Sequence, residues 1–160
     1  MIGKKPYSDW DIKEASLEVL NKKYTTLSDF PTFNLDEFPP DNNPISETEL
    51  KSFVEEIKKT LRVFKRDLIN EMTVREYISV FMKTAVDHIQ KMNNTAQLFV
   101  EYHLNGSKAY GPVDYLVKIN GVIVLLNEAK FQDIIKGVAQ MILQLHSASE
   151  VTPSLFLCII

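Results

Sequence analysis

From about residue 97 the hydrophobic period of this chain changes from helical to alternating, and Val122 to Asn127 then runs almost wholly apolar. A strand apolar on both faces reads as a central strand covered on both sides. Apolar helical stripes lie before it and after it, so an α/β fold is expected. Upstream, Gln97 to Leu104 alternates, with Leu98, Val100, Tyr102 and Leu104 on one face and Gln97, Phe99, Glu101 and His103 on the other. Val113 to Ile119 reads as a second strand, after a turn bracketed by Gly106 and Gly111. Asn120-Gly121 is a strong hairpin signal, which makes the second and third strands antiparallel neighbours.

Helices precede the strands. Ser46 with Glu49 is a capping-box signature, and Leu50, Phe53, Ile57, Leu61, Phe64 and Leu68 follow as an apolar stripe. Lys58, Lys59, Arg62, Lys65 and Arg66 lie mostly off that stripe, as a solvated face or as phosphate contacts. A second helix is expected over 71–92, with Val74, Ile78, Phe81, Ala85, Ile89 and Met92 facing one way. After the third strand, 132–147 return to helical period with Ile134, Val138, Met141, Ile142 and Leu145 inward, and Leu155 to Ile160 reads as a fourth strand. The predicted order is helix, helix, three strands, helix, strand. The last strand has no closing turn, so the natural chain is expected to extend past Ile160.

Residues 1–45 have a different texture, acidic and rich in aromatics and prolines. Ser8 is the expected cap of a short helix carrying Trp10, Leu17, Leu20 and Tyr24. Phe30 to Pro44 is too rich in proline for helix and reads as an ordered strap laying Phe30, Phe33 and Phe38 onto the body. The expected division is an N-terminal helix and strap over 1–45 and a main domain over 46–160.

The 160 residues can bury a core without staples. Cys158 is the only cysteine, which excludes an internal disulfide and a cysteine-based zinc site, and points to a reducing compartment. The N-terminus lacks the apolar segment of a secretory signal, and no apolar run reaches membrane-spanning length. An intracellular protein, nuclear or cytoplasmic, is expected. The net charge of −3 argues against a strong nucleic-acid binder, although a local basic stripe can sit on an acidic protein.

The chemistry concentrates in Asp114, Glu128 and Lys130. Strand alternation puts Glu128 and Lys130 on one face. A hairpin in simple register about Asn120-Gly121 brings Asp114 close to Glu128. Two carboxylates so placed can share a hard cation such as Mg2+ or Mn2+. Lys130 then lies beside the water to be activated and the phosphate charge to be stabilised. The bland alternative is a structural Glu–Lys pair with Asp114 as a turn residue. His88, His103 and His146 share no metal-ligand spacing.

This segment resembles the PD-(D/E)XK nuclease superfamily, the fold of many restriction endonucleases and Holliday-junction resolvases. Asp114 answers to the aspartate that opens the second strand of that pattern, with Val113 in place of the usual proline, and Glu128-Ala129-Lys130 to the (D/E)XK element. Gly137-Val138-Ala139-Gln140 and Gln144 look like the glutamine-bearing helix that follows the site in some branches. Together with Tyr-Gly-Pro-Val-Asp-Tyr the set is similar to nuclease-like domains of crinkler-type effectors and their fungal relatives. The resemblance covers about residues 70–160 and implies a restriction-endonuclease-like ααβββαβ core, a central mixed sheet flanked by helices, preceded here by the N-terminal helix and strap.

It further implies a Mg2+- or Mn2+-dependent endonuclease acting on DNA, with RNA the second candidate. Asp114, Glu128, Lys130 and Gln140 are then catalytic. Many members add a glutamate from the first core helix to the metal site; helix phase favours Glu71, with Arg75 as its partner, over Glu76, which reads as a capping-box partner of Thr73, and Glu101 is a third candidate. Basic residues of the 46–70 helix and Lys108 would hold phosphates. The competing expectations are a catalytically inactive module that keeps the fold and binds protein or nucleic acid, and an interaction domain docking a protein through the strap. A homodimer is a further partner expectation.

Overall fold

The computed structural model of the chain describes residues 3–32, 34, 43–67 and 69–152, and the backbone of Leu157–Ile159. The strap positions Phe33, Phe38, Pro39 and Pro40, and Leu68 of the first stripe, lie outside the described residues. The elements are β1 (Lys5–Pro6), α1 (Ile12–Leu20), α2 (Glu47–Val63), α3 (Glu71–Gln90), β2 (Gln97–Asn105), β3 (Ala109–Ile119), β4 (Val122–Asn127), α4 (Ile134–Val151) and β5 (Leu157–Ile159).

The chain is α/β, with a mixed open sheet in the order β2-β3-β4-β5. The β2–β3 and β3–β4 pairs are antiparallel, and β4–β5 is parallel across α4. The short β1 runs parallel to the start of β3, with Pro6 opposite Tyr110, where Asn105 of β2 holds the other edge. Asn120 and Gly121 make the β3–β4 turn with φ of 53° and 78°, both in the left-handed region, as a two-residue hairpin of this hand requires.

β4 is covered on both faces, as its apolar run demands. Ile123 and Leu126 join the cluster built on α4, α1 and the turn before α1. Val124 and Leu125 join the cluster built on α3. α2 forms an outer layer, packing on α3 through Phe53 against Phe81 and Phe64 against Tyr77, with ring centroids 5.0 and 6.0 Å apart. Its start is the predicted capping box: Ser46 accepts from the Glu49 amide, and the Glu49 carboxylate accepts from the Ser46 amide.

Four sequence expectations shift, and the simplest is Ile134, expected inward but exposed at the start of α4. α1 is capped by Asp11, not Ser8, because Asp11 and Glu14 form a reciprocal capping box. The start moves by three residues, so Ile12, Ala15 and Ser16 are buried while Leu17 and Leu20 are exposed. α3 is apolar on two sides, since it lies between the sheet and α2. Ile78, Met82, Val86 and Ile89 meet the sheet, and Phe81 turns to α2, so the predicted single stripe mixed two faces. In β2 the alternation inverts at Glu101, whose φ of 51° is left-handed. Leu98 packs toward α3, whereas Phe99, Tyr102 and Leu104 pack toward α1 and α4.

The N-terminal piece is built into this core. Tyr7 and Trp10 are each 2 % exposed, within the same cluster as Leu116, Leu126 and Leu143. Gly111 has φ of +144°, and a Cβ there would stand 3.1 Å from the Tyr7 ring, so a residue without a side chain lets Tyr7 seat beneath β3. Replacing Trp10 by Ala is expected to destabilise the protein by about 3–5 kcal/mol, the range for losing a buried aromatic. Urea unfolding measures it, and a loss under about 1 kcal/mol would show that the N-terminal piece only decorates the body.

Candidate functional site

β3 and β4 deliver their polar residues at one end of the sheet. The register pairs Tyr115 with Asn127, so Asp114 and Glu128 follow each other at the adjacent strand ends. Both are buried, each 4 % exposed. Asp114 Oδ2 accepts the Ala129 backbone N–H at 2.8 Å, which stitches β3 to the segment just beyond β4. The stitch leaves the residues on either side, Glu128 and Lys130, pointing into a common cleft.

The cleft has a volume of about 400 Å3. Its inner wall is Asp114, Glu128 and Lys130, its α3 side is Glu71 and Arg75, and Gln140 and Lys136 of α4 close it opposite. Pro6, Tyr7 and Ser8, with Tyr110 to Pro112, form the remaining lip. The N-terminal segment is therefore part of the site as well as of the core.

Every oxygen of the two buried carboxylates meets a donor. Glu128 Oε1 pairs with Lys130 Nζ at 2.9 Å, and Glu128 Oε2 accepts from Gln144 Nε2 at 2.8 Å. Asp114 Oδ1 pairs with the Arg75 guanidinium. Lys130 also reaches Glu71 Oε1 at 3.4 Å. Such pairing is what keeps charged groups tolerable in a core.

The electrostatics follow from burial and from crowding of like charge. Burial pushes the Glu128 carboxyl above its ordinary range, and the nearby Asp114 charge pushes the same way, against the hydrogen bonds of Gln144 and Lys130. For Lys130, burial pulls downward but is outweighed by Glu128, Glu71 and Asp114, which hold the ammonium charged. Burial acts likewise on Arg75, and Asp114 and Glu101 outweigh it.

The predicted residues divide as follows. Asp114, Glu128, Lys130, Glu71 and Gln140 line one cleft. Gln140 brings its Oε1 there buried and without a hydrogen-bond partner, while the glutamine that grips Glu128 is Gln144. Asn70 caps α3 by accepting from the Thr73 amide, so Glu71 lies in the first helical turn and Thr73 is not the cap. Glu76 is exposed and away from the cleft lining. Lys108 is taken up by Glu18 at 2.5 Å. Lys58 and Lys59 pair with Glu55 and Glu56, whereas Arg62, Lys65 and Arg66 are exposed without an ion pair among the described residues. His88 spans Glu49 Oε1 at 3.1 Å and the Asn43 carbonyl at 3.0 Å, a structural clasp.

Arg75 is the residue whose part sequence reasoning missed. Its expected partner was Glu71, four residues earlier; its guanidinium instead meets Asp114, and Glu101 at 2.9 Å. Glu101 arrives because Val100 pairs with Tyr115 and Tyr102 with Val113, which sets Glu101 opposite Asp114. Helix spacing carries no information about such a cross-element contact. Among the described residues, no group of three or more His, Cys, Asp or Glu side chains is gathered as a ready metal cluster.

A raised Glu128 carboxyl has a definite consequence for stability. The folded state holds this proton more tightly than the unfolded chain, so stability falls as pH rises from the ordinary carboxylate range through the folded value. Glu128→Gln removes that penalty. In urea unfolding the variant is expected to gain on the parent as pH rises from about 4 to about 7, whatever the loss of Lys130's partner costs at both values, and a difference that stays constant with pH would contradict the assignment.

Compared with known proteins, the chain matches no protein-family model, no curated protein and no solved structure.

Proposed function

We propose that this chain is a metal-dependent phosphodiesterase of the PD-(D/E)XK type that cleaves DNA. The observation that carries the reading is the convergence of Asp114, Glu128 and Lys130 in one cleft at the ends of β3 and β4, with Lys130 bonded to Glu128 at 2.9 Å. The order α2, α3, β2, β3, β4, α4, β5, with a parallel β4–β5 crossover, is compatible with the restriction-endonuclease-like core. A buried charged trio does little for folding, since a well-packed apolar replacement is often no less stable. Chemistry is the better explanation for its presence.

The donor set fits Mg2+ or Mn2+. Asp114 and Glu128 offer carboxylate oxygens at the same place, and Glu71 offers a third at the rim. Burial first, and the neighbouring Asp114 charge second, disfavour the ionised Glu128 carboxyl, and a divalent cation bound there would offset both. When bound, such an ion polarises the phosphate and lowers the pKa of a water.

The protein's own groups do the rest. Gln144 fixes the Glu128 carboxylate and the Ala129 amide fixes that of Asp114, so neither has to reorganise. Lys130, held charged beside Glu128, orients the attacking water and balances charge building on the phosphate. Lys136 and Arg75 supply further positive charge in the cleft. Arg62, Lys65 and Arg66, at the end of α2, are free to take phosphates of the bound strand. The lone Cys158 supports an intracellular setting. No described helix is long and apolar enough to cross a membrane.

A second reading is a fold-retaining binding or effector module without the reaction. Arg75 sitting on Asp114 favours it, because a fixed guanidinium there does a cation's electrostatic work. Incubation of the protein with plasmid and single-stranded DNA and Mg2+ or Mn2+ separates the two. Asp114→Asn and Lys130→Ala are each expected to lower cleavage by at least about a hundredfold, Glu71→Gln to lower it less, and Glu76→Gln to leave it unchanged. Cleavage that survives both of the first two changes overturns the nuclease reading.

A further inference from the structure

We propose that Arg75 is an internal competitor for the cation: in the metal-free protein its guanidinium occupies Asp114, and it must yield that carboxylate before the site can be loaded. The inference rests on the metal-dependent reading above and adds to it a means of regulating the same site.

Four observations place Arg75 between holding and releasing. Its guanidinium takes Asp114 Oδ1, and the other oxygen of that carboxylate is committed to the Ala129 amide at 2.8 Å. Arg75 therefore holds the one Asp114 oxygen that is not committed to the backbone. The outer anchor is weak by construction: Glu101 Oε1 lies at 2.9 Å, but its side chain is 64 % exposed, and exposed pairs contribute little. That anchor is also strained, because Glu101 keeps a left-handed φ of 51° within a strand, where a non-glycine residue rarely sits. Finally, Arg75 Nε is buried without a hydrogen-bond partner among the described residues, so the guanidinium keeps an unused donor.

The backbone at this point does not share the looseness. Tyr115 Oη donates to the Arg75 carbonyl at 2.6 Å, pinning the α3 turn to β3. Only the side chain is left to move. Swung off Asp114 toward the cleft it lines, the planar fork can donate in parallel to two oxygens of a phosphate. The guanidinium thus exchanges a carboxylate for a phosphate as cation and substrate arrive, and until then the buried Asp114 keeps a cationic partner.

Calorimetric titration with Mn2+ tests this on the full chain. Arg75→Gln is expected to bind Mn2+ roughly tenfold more tightly than the parent, the scale of one charge-assisted hydrogen bond. Glu101→Gln, which leaves Arg75 in place but frees its outer end, is expected to tighten binding by about two- to threefold. Lys136→Gln, which removes a cleft cation that does not touch Asp114, is expected to change it by less than about twofold. Thermal melts add a second readout: saturating Mn2+ should raise the melting temperature of Arg75→Gln more than that of the parent.

Unchanged or weaker binding in Arg75→Gln overturns the competitor role, and so does an equal gain in Lys136→Gln. If the parent still cleaves DNA with Mg2+ in either case, the nuclease reading stands alone. Should Arg75→Gln fail to fold, absence of any gain in Glu101→Gln overturns the proposal. If no protein in the series binds Mn2+ and none cleaves, both readings fall together.

Discussion

The hydrogen bond from the Ala129 amide to Asp114 depends on a hairpin register that nothing else in the molecule can replace. Asn120 and Gly121 turn the chain in two residues, and the pairing of Ile119 with Val122 and of Tyr115 with Asn127 follows from there. A slip of one residue would exchange the β4 residues of the two clusters, setting Val124 where Ile123 packs. It would also part Asp114 from the Glu128-Ala129-Lys130 segment. The register even absorbs an irregularity between Val117 and Lys118 before the strand ends meet. Core packing and site assembly are thus fixed by one turn, and either requirement alone would select the same arrangement.

Much of this was legible in residue order. Asn120-Gly121 announced the hairpin, Ser46 and Glu49 announced α2, and the apolar run of β4 announced cover on both faces. Counting outward from the turn in simple register brings Asp114 near Glu128, but a one-residue shift between Val117 and Lys118, which residue order does not reveal, is what sets the two level. Local rules failed where two candidates competed or where a distant element intervened. Ser8 and Asp11 both suit a cap, and only the reciprocal bond with Glu14 decides between them. Phe81 faces a neighbouring helix that periodicity cannot see. The inverted phase of β2 comes from a backbone conformation at Glu101 that its residue type disfavours. Arg75 was hidden for the same reason, since its partners lie 26 and 39 residues away.

The charges at the strand ends are held in a graded way. Asp114 and Glu128 are buried and Lys130 nearly so, while Glu71 and Glu101 stand at the rim. Inner groups are fixed by short bonds to rigid donors, a backbone amide and the fully buried Gln144. Outer groups are tied to flexible side chains in contact with solvent. Such a gradient preorganises the groups nearest the chemistry and leaves the peripheral ones adjustable.

The pairing of β1 with β3 joins Lys5 to Ala109 and Pro6 to Tyr110, positions separated by more than a hundred residues. Contacts of that span close a long loop and form late relative to local helices and hairpins. As the chain leaves the ribosome, Tyr7 and Trp10 emerge first but have no sheet to bury them until β3 is made. The cleft lip formed by Pro6, Tyr7 and Ser8 therefore rests on contacts that form later in folding than the local β3–β4 hairpin, which already brings the carboxylates together.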